Sequence, residues 1–537
     1  MKGIVVAPQP VAVELGAKVL EDGGNAFDAV IAAAFVQMVS DPFMCGLGGW
    51  GSGVFYRAET DTFENIGFWA RIGSKMRPDM WEKDVKGFTD IWRFALFDDH
   101  RNLYGYTSIM TPGTVAGFAE VHRRYATKPW AELLQPSIDL SEKGFHVPEY
   151  MAQHYRQLFL PGLPHPRDKY AHNPAARALF RNSDESELKE RGEFYSNPDQ
   201  ARVLARLAEA GPEDFYTGEI AEVIANDFEA NGAFVTREDL AGYRPVVEPA
   251  LGSTYRGYDL ASTALPGGGL LLLQILNILE QFDLSSMEHN GPEHAFIVGG
   301  ALAWAGVTRG RHLADPAYRD VPAAELLSKE YAADIAERIR RSELPTEVQL
   351  NRPGYTTHIS VMDELGNCAS ITHTLTTCAG IVVPGTGFTW NNCVSLMDPI
   401  PGRPNSYEPG KARASAIAAT IVMREGRPWI VVGAPGGWSV TSAVAQSISN
   451  IIDFGMSPVE AAAAARFHSE GNPVYCEGRV SARTIAALRG RGMTVEQSLM
   501  NFENKFGSVQ IAMHDENGFR GGSDPRRDGG TFAVAHG

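Results

Sequence analysis

The hydrophobic pattern of the chain changes after residue 355, and this change limits the possible folds more than any other feature. Before it, apolar residues recur mostly at helical spacing, whereas residues 357–363 and 369–374 alternate around a Leu365-Gly366-Asn367 turn. That alternation predicts a β-hairpin. The segment between, residues 342–355, is polar and contains proline, which predicts an exposed, weakly ordered connector. Many helices combined with antiparallel strands predict a layered α+β sandwich.

Helices and a second hairpin are predicted on both sides of the connector. Asn25 with Asp28, and Ser457 with Glu460, have the spacing of helix N-caps. The predicted helices cover residues 10–22, 26–39, 115–124, 130–143, 201–210, 217–230, 270–281 and 439–452, with one more beginning at 458. The second hairpin has strands 419–423 and 429–432 and runs into a glycine-rich turn, residues 433–437. Another glycine-rich run, residues 46–53, precedes a strand-like segment that starts at Val54, and it predicts close backbone packing.

Composition argues against several classes of partner. Lysine plus arginine (48) against aspartate plus glutamate (64) gives a formal net charge of −16, so nucleic acid is not an expected partner. The longest apolar stretches, such as residues 29–36 and 270–276, fall short of the roughly 18 residues that span a bilayer. No signal-peptide pattern is present, so we expect no membrane association and a cytoplasmic location, with a trimmed exported form left open.

No metal is expected, because metal-ligand spacing is missing. The cysteines are an odd set expected to be buried, reduced thiols: Cys45, Cys368, Cys378, Cys393 and Cys476.

The end of the connector, Tyr355-Thr356-Thr357, carries the strongest chemical signal. An N-terminal threonine can act as its own base, because its free α-amine has a pKa of about 8 and lies beside the hydroxyl. To expose it, the Tyr355–Thr356 bond must be cleaved, by attack of the Thr356 hydroxyl on the preceding carbonyl. The products would be an α segment, residues 1–355, and a β segment, residues 356–537. Threonine is also a favoured strand residue, so this pair taken alone favours a purely structural role.

Gly436 and Gly437 form a second candidate element. Glycines between a strand and a helix can direct N–H groups at a developing oxyanion, although taken alone they favour a tight strand-to-helix turn. His358, His373 and His468 show no spacing typical of a catalytic triad, and a structural role fits them at least as well.

Further segments complete a pattern that spans nearly the whole chain. They are residues 23–29 (GGNAFDA), 112–117 (PGTVAG), 129–134 (PWAELL), 327–331 (LSKEY), 356–358 (TTH), 384–387 (PGTG), 409–411 (PGK), 434–437 (APGG) and 451–456 (IIDFGM). In this order they resemble the γ-glutamyltranspeptidase family of N-terminal-nucleophile hydrolases. The resemblance implies a four-layer αββα sandwich forming one large body, self-cleavage, and neither a metal nor an organic cofactor.

The resemblance also implies roles for individual residues. Thr356 matches the nucleophile and new N-terminus, and Thr374 matches the threonine that hydrogen-bonds it. Gly436 and Gly437 match the oxyanion hole. The α and β fragments are expected to stay docked as a heterodimer because they share one core, and whether two such units pair is left open.

The residues that would bind substrate depart from the family pattern. Family members that bind glutamate hold its α-carboxylate with an arginine, and residues 67–73 (GFWARIG) have Trp69 at that place and Arg71 nearby. Thr376 stands where the family has an asparagine. Of two paired serines, only Ser415 remains. Arg71, Trp69, Thr376 and Ser415 are therefore the candidate substrate-binding residues.

The loss of these groups would remove most charge-assisted contacts to a glutamyl end, each worth about 1.5–3 kcal/mol. Residues 384–404 look like the family's amidase branch, which includes oxamate amidohydrolases and acylases. We therefore favour a self-processing amidase or acylase that cleaves a small amide other than a glutamyl amide. Two alternatives stay open: a γ-glutamyltranspeptidase in which Arg71 and Asp398 replace the missing contacts, and a catalytically silent homologue. Whether the acyl group goes to water or to another amine also stays open.

Overall fold

Two antiparallel sheets lie face to face at the centre of the molecule, in a computed structural model that describes residues 2–89, 94–156, 165–182, 186–346 and 355–534. The strands in the described ranges are β1 Gly3–Ala7, β2 Trp50–Arg57, β3 Thr62–Phe68, β4 Gly87–Phe88, β5 Ala95–Leu96, β6 Phe145–His146, β7 Phe194–Tyr195, β8 Val246–Pro249, β9 Leu251–Tyr255, β10 Tyr258–Ser262, β11 Tyr355–Asp363, β12 Cys368–Thr376, β13 Thr420–Arg424, β14 Arg427–Gly433, β15 Phe467–Ser469, β16 Val474–Cys476, β17 Val495–Gln497, β18 Gln510–Asp515, β19 Gly518–Ser523 and β20 Gly530–Val534. The first sheet has the order β20-β1-β11-β12-β2-β3-β8, and the second has the order β19-β18-β14-β13-β10-β9.

Helices cover the outer face of each sheet. In the described ranges they are α1 Pro10–Glu21, α2 Ala26–Ser40, α3 Thr114–Tyr125, α4 Trp130–Lys143, α5 Glu149–Arg156, α6 Pro166–Lys169, α7 Pro174–Phe180, α8 Pro198–Ala210, α9 Asp214–Thr217, α10 Glu219–Ala230, α11 Arg237–Ala241, α12 Gly269–Leu279, α13 Pro292–His312, α14 Ala323–Leu326, α15 Lys329–Arg340, α16 Ser439–Phe454, α17 Pro458–Ala463 and α18 Ala482–Gly490. Short 3₁₀ turns occur at Glu82–Asp84, Tyr106–Ser108, Leu284–Ser286, Cys393–Leu396 and Asn504–Phe506.

Strand β1 illustrates how the layers arise. Val5 and Ala7 join the apolar core shared with α1 to α4, whereas Ile4 and Val6 join the core between the two sheets. Alternate residues of a strand point to opposite faces, so each inner strand contributes to both cores. A third core lies between the second sheet and α12, α13, α15 and α16. The predicted four-layer αββα sandwich in one body is confirmed.

Most predicted helices are confirmed, and one prediction needs correction. Asn25 and Asp28 form the expected capping box at the start of α2, and Ser457 and Glu460 form another at α17. The helix predicted over 217–230 is instead two helices separated by Gly218. The break occurs because the buried Asp214 carboxylate accepts the backbone N–H groups at the start of α10.

The strands also differ from the sequence prediction. Strand β2 begins at Trp50, inside the glycine-rich run. Glycine is needed at position 51 because a Cβ atom there would lie 2.3 Å from the carbonyl oxygen of Thr372. The strands of the two sheets that were not predicted are β1, β3, β8, β9, β10, β18, β19 and β20. Strand β11 begins at Tyr355, so the predicted connector ends before it, and residues 347–354 lie outside the described residues. All five cysteines are buried free thiols, as expected. Within the described ranges, no helix is both long enough and apolar enough to cross a bilayer.

Candidate active site

Thr356 lies at a bulge between β11 and β12. Tyr355 pairs with Thr376, but Thr357 pairs with His373, so the register shifts at Thr356. A bulge redirects a side chain away from the regular ladder. The Thr356 hydroxyl donates to the Thr374 hydroxyl oxygen at 3.2 Å, and that oxygen also accepts the N–H of Thr376 at 2.9 Å. The two predicted catalytic threonines therefore meet on neighbouring strands.

This pair lies on the face of the first sheet that is turned toward the second sheet. Thr372, two residues before Thr374 on β12, hydrogen-bonds the ring of His358 at 2.7 Å. A Cβ atom at Gly433, the last residue of β14, would lie 2.2 Å from that ring, so the end of β14 crosses this face. Thr357 points the opposite way, toward the helices, where it contacts Gln37. The turn that carries Gly436 and Gly437 follows Gly433 directly.

The turn after β14 has a conformation suited to glycine. Gly436 and Gly437 have φ angles of 145° and 62°, which disfavour larger side chains. A Cβ atom at Gly436 would lie 2.6 Å from the Cα of Gly507. In the described part of the chain, neither of the two N–H groups donates a hydrogen bond, and both precede the positive end of α16. They are thus available to stabilise an oxyanion.

A residue that the sequence gave no reason to expect, Arg527, contacts the candidate nucleophile directly. Its Nη1 donates to the backbone carbonyl of Thr356 at 2.6 Å, and its guanidinium lies 4.8 Å from the ring centre of Tyr150. Asp41 is buried nearby, and burial raises its pKa to about 7 against the opposing influence of the Arg527 charge. No local motif indicates this contact, since it depends on the C-terminal segment returning to β11.

Buried ion pairs hold that C-terminal segment. Asp524 pairs with Arg466 at 2.7 Å and with Arg526 at 2.8 Å, and Arg526 also pairs with Glu477 at 2.7 Å. Arg466 donates to the carbonyl of Gly507 at 2.9 Å. The same network therefore supports the glycine turn, through Gly507, and the position of the neighbouring Arg527.

Comparison with known proteins agrees with this geometry. A family model described as gamma-glutamyltranspeptidase matches residues 12–534. This chain belongs to the γ-glutamyltranspeptidase family. It is 32% identical over 549 residues to the glutathione hydrolase proenzyme of Escherichia coli (strain K12), covering 98% of this chain and 90% of that protein. It is 30% identical over 546 residues to the acylase ACY 1 proenzyme of Pseudomonas sp. (strain SE83), covering 100% and 94%.

A solved structure extends the comparison to the fold. Cephalosporin acylase from Bacillus halodurans has a TM-score of 0.86 and 26% identity, covering 100% of this chain and 96% of that one. The resemblance inferred from sequence is confirmed. The chain is an enzyme of the γ-glutamyltranspeptidase family with the fold of N-terminal-nucleophile hydrolases.

Of the four predicted substrate-binding residues, Thr376 adjoins the threonine pair, and Trp69 is connected to that pair through Trp50. The Trp50 Nε1 donates to the Thr376 hydroxyl at 3.1 Å, and the ring centres of Trp50 and Trp69 are 6.0 Å apart. Trp50 is also the partner of Thr374 across the first sheet. Trp50 and Trp69 thus form an aromatic wall, which adjoins Thr374 and Thr376 through Trp50.

The other two predicted substrate-binding residues, Arg71 and Ser415, have different surroundings. Arg71 donates to the carbonyl of Gly410 at 3.2 Å, and within the described ranges it contacts none of the three threonines 356, 374 and 376. The buried Ser415 hydroxyl accepts the N–H of Ile417 at 3.2 Å. Asp398, which the γ-glutamyltranspeptidase alternative needs, is paired with Arg403 at 3.0 Å.

A further arginine, Arg413, adjoins the aromatic wall, and sequence reasoning did not identify it. Its guanidinium carbon lies 4.8 Å from the ring centre of Trp50, and only 5% of the residue is exposed. Burial lowers its pKa to about 10. The family pattern draws attention to Arg71 instead, so only the packing of the chain reveals Arg413.

The histidines near the threonines are structural. Burial lowers the pKa of His358 and of His373 to about 3, so both rings are neutral at ordinary pH. Their neighbours are uncharged: His358 contacts Thr372 and Ser360, and His373 contacts Gln37. Neither ring contacts Thr356 within the described part of the chain, so neither is positioned as its base.

The raised pKa of Asp41 predicts a pH effect on stability. Between about pH 4 and pH 7 the folded chain keeps a proton on Asp41 that the unfolded chain has released. The free energy of unfolding that Asp41 contributes is therefore fully present below about pH 4 and is lost as pH rises to about 7. Asp41→Asn keeps an oxygen acceptor for Gln9 but does not titrate. The variant should lose less stability than wild type between about pH 5 and pH 8, measured by thermal unfolding at each pH. Equal losses in both proteins would show that Asp41 is ionised throughout.

Proposed function

We propose that this protein is a self-processing amidohydrolase that uses Thr356 as an N-terminal nucleophile. One observation carries the proposal: the hydroxyl of Thr356, the second residue of β11 and the site of the register shift, is hydrogen-bonded to Thr374. The curated relatives are named as proenzymes, which is consistent with cleavage of this chain into an α segment, 1–355, and a β segment, 356–537.

Self-cleavage would start from the uncut chain. The Thr356 hydroxyl attacks the carbonyl carbon of Tyr355, and the bond to the Thr356 nitrogen breaks, which leaves an ester and a free α-amine. Water then hydrolyses the ester to give the Tyr355 carboxylate and the Thr356 hydroxyl. Thr374 orients the attacking hydroxyl, and Arg527 fixes the carbonyl of Thr356 during the exchange.

Substrate cleavage would use the same groups again. The free α-amine of Thr356 accepts the hydroxyl proton as the oxygen attacks the amide carbonyl, and it later gives that proton to the leaving amine. The N–H groups of Gly436 and Gly437 stabilise the negative oxygen of the tetrahedral intermediate. The remaining acyl ester is hydrolysed by a water that the same amine activates, which releases the acid.

The substrate we propose is a small amide or acyl amide other than a γ-glutamyl amide. Trp69 packs against Trp50 and supplies no positive charge, and Asp398 is already paired. The similarity to a cephalosporin acylase over the whole chain supports this assignment. Glutathione hydrolysis is the second candidate, because of the 32% identity to a glutathione hydrolase proenzyme, but it would require Arg71 to leave its contact with Gly410.

Substitutions at the threonine pair test the proposed nucleophile. Thr356→Ala should abolish amide turnover, whereas Thr356→Ser should retain part of it because a hydroxyl and an α-amine both remain. Thr374→Val should slow turnover about 10- to 100-fold by releasing the nucleophile. Turnover of acyl p-nitroanilides is the measurement, and Thr62→Ala, at an exposed position of β3, is the control. Turnover by purified Thr356→Ala at the wild-type rate would refute the assignment.

Substrate specificity is tested separately with γ-glutamyl-p-nitroanilide and glycylglycine as acceptor. Because the charged contacts for a glutamyl end are missing, we expect turnover at least about 100-fold below that of the best simple acyl anilide. Efficient γ-glutamyl transfer would favour the glutathione hydrolase alternative and would leave the assignment of Thr356 intact.

A further inference from the structure

Arg527 places a positive charge beside the residue whose α-amine the proposed reaction uses as its base. Its Nη1 donates to the backbone carbonyl of Thr356 at 2.6 Å, and both residues are buried. Within any residue, covalent geometry keeps the backbone nitrogen within about 3.6 Å of the carbonyl oxygen. The Thr356 nitrogen, which becomes the α-amine after cleavage, therefore lies within about 6 Å of that Nη1 atom.

The bulge in β11 explains why a side chain reaches this carbonyl. Thr356 lies at the register shift between β11 and β12, and β1 pairs with β11 only from Ser360 onward, so Thr356 has no residue opposite it in either ladder. A neutral donor would satisfy its carbonyl as well as arginine does. Burying a charged group is more costly than burying an amide or a hydroxyl. A guanidinium at this place indicates that its charge has a use beyond the hydrogen bond.

The groups that face Arg527 leave its charge largely uncancelled. The ring of Tyr150 lies 4.8 Å from the guanidinium, and burial raises the pKa of its phenol, which stays neutral. Burial also raises the pKa of the Cys45 thiol, and it raises the pKa of Asp41 to about 7, so that Asp41 carries a proton below that pH. Asp528 accepts the N–H of Tyr150 at 3.1 Å and, among the described residues, forms no ion pair with Arg527.

The remaining titratable groups around Thr356 do not oppose this charge. On β11 and β12 they are His358 and His373, whose rings burial keeps neutral. In the C-terminal segment, the charge of Arg526 is taken up by two carboxylates, those of Asp524 at 2.8 Å and Glu477 at 2.7 Å. The guanidinium of Arg527 therefore sets the sign of the charge that acts on the Thr356 nitrogen.

An α-amine can act as a base only while it is neutral. With its ordinary pKa of about 8, roughly 90% of an α-amine is protonated at pH 7 and cannot accept the hydroxyl proton. A like charge within about 4–6 Å disfavours the protonated form. The position of Arg527 relative to Thr356 meets this condition.

We propose that Arg527 keeps the α-amine of Thr356 neutral in the cleaved enzyme, so that the amine is ready to accept the hydroxyl proton. Arg527 acts through the backbone of Thr356 and not on the substrate, so it is a positioning residue. The inference rests on the amidohydrolase function proposed above and adds the group that prepares its base.

The protonation of this amine can be measured directly. Trace acetylation between pH 5 and pH 9 labels an α-amine in proportion to its neutral fraction, and mass spectrometry of the β segment locates the label at Thr356. In wild type the midpoint should fall at about pH 7 or lower, which is about one pH unit below that of an ordinary α-amine. A wild-type midpoint at about pH 8 or above would overturn the inference.

Two substitutions separate the charge of Arg527 from its hydrogen bond. Arg527→Gln keeps an N–H donor without the charge, and its midpoint should rise by about one pH unit or more. Arg527→Lys keeps the charge and should titrate close to wild type. The matched control is Arg340→Gln, because Arg340 also donates to a backbone carbonyl, that of Gln281 at 2.7 Å, and lies 4.7 Å from the ring centre of Phe282. The control should titrate as wild type, and equal midpoints for Arg527→Gln and wild type would refute the role of Arg527.

A protease site makes this measurement independent of self-cleavage. Each protein is also prepared with the recognition sequence of a site-specific protease ending directly before Thr356, so that the free amine exists even where self-cleavage fails. The pH profile of kcat/KM for an acyl p-nitroanilide gives the second readout. Its acidic limb should move to higher pH in Arg527→Gln by about the same amount as the midpoint, and it should not move in Arg340→Gln.

The two readouts distinguish this inference from the proposed reaction. If the midpoint depends on the charge of Arg527 but no amide is hydrolysed, the proposed reaction fails and the effect of Arg527 on the amine stands. If amides are hydrolysed and neither the midpoint nor the acidic limb moves in Arg527→Gln, the reaction stands and the role of Arg527 is refuted.

Discussion

The hydrogen bond between Thr356 and Thr374 exists because β11 and β12 change register at one residue. A regular ladder would continue the alternation of β11, whereas the bulge gives the Thr356 hydroxyl a direct contact on the neighbouring strand. The contact lies between the two sheets, where the end of β14 brings the glycine turn to the same face. The αββα arrangement thus brings the candidate nucleophile, near the start of β11, and the candidate oxyanion donors, after the end of β14, to the same face.

Buried charge holds this arrangement in place. The pairs around Asp524 fix the C-terminal segment, which supports Gly507 behind the glycine turn and presents Arg527 to the carbonyl of Thr356. Within that network Arg466 and Arg526 each pair with a carboxylate, whereas Arg527 donates to a backbone carbonyl.

Local patterns in the sequence were sufficient to predict much of the fold. Capping residues such as Asn25 and Asp28 define helix starts, and alternation defines the hairpin of β11 and β12, because both signals lie within a few residues. Strand β1 was missed because it is buried on both faces and shows no alternation. The threonines and glycines were predicted through resemblance to a family. The contacts of Arg527 with Thr356 and of Arg413 with Trp50 were not predicted, because they join segments that are far apart in the sequence.

Intact-mass spectrometry of the purified protein is the most direct test of Thr356 as the nucleophile, because it identifies the residue at which the chain is cut. We expect two polypeptides that remain associated, one ending at Tyr355 and the other beginning with Thr356 and carrying a free α-amine. A single uncut chain in a preparation that hydrolyses amides, or a cut that leaves any other residue at the new N-terminus, would contradict it.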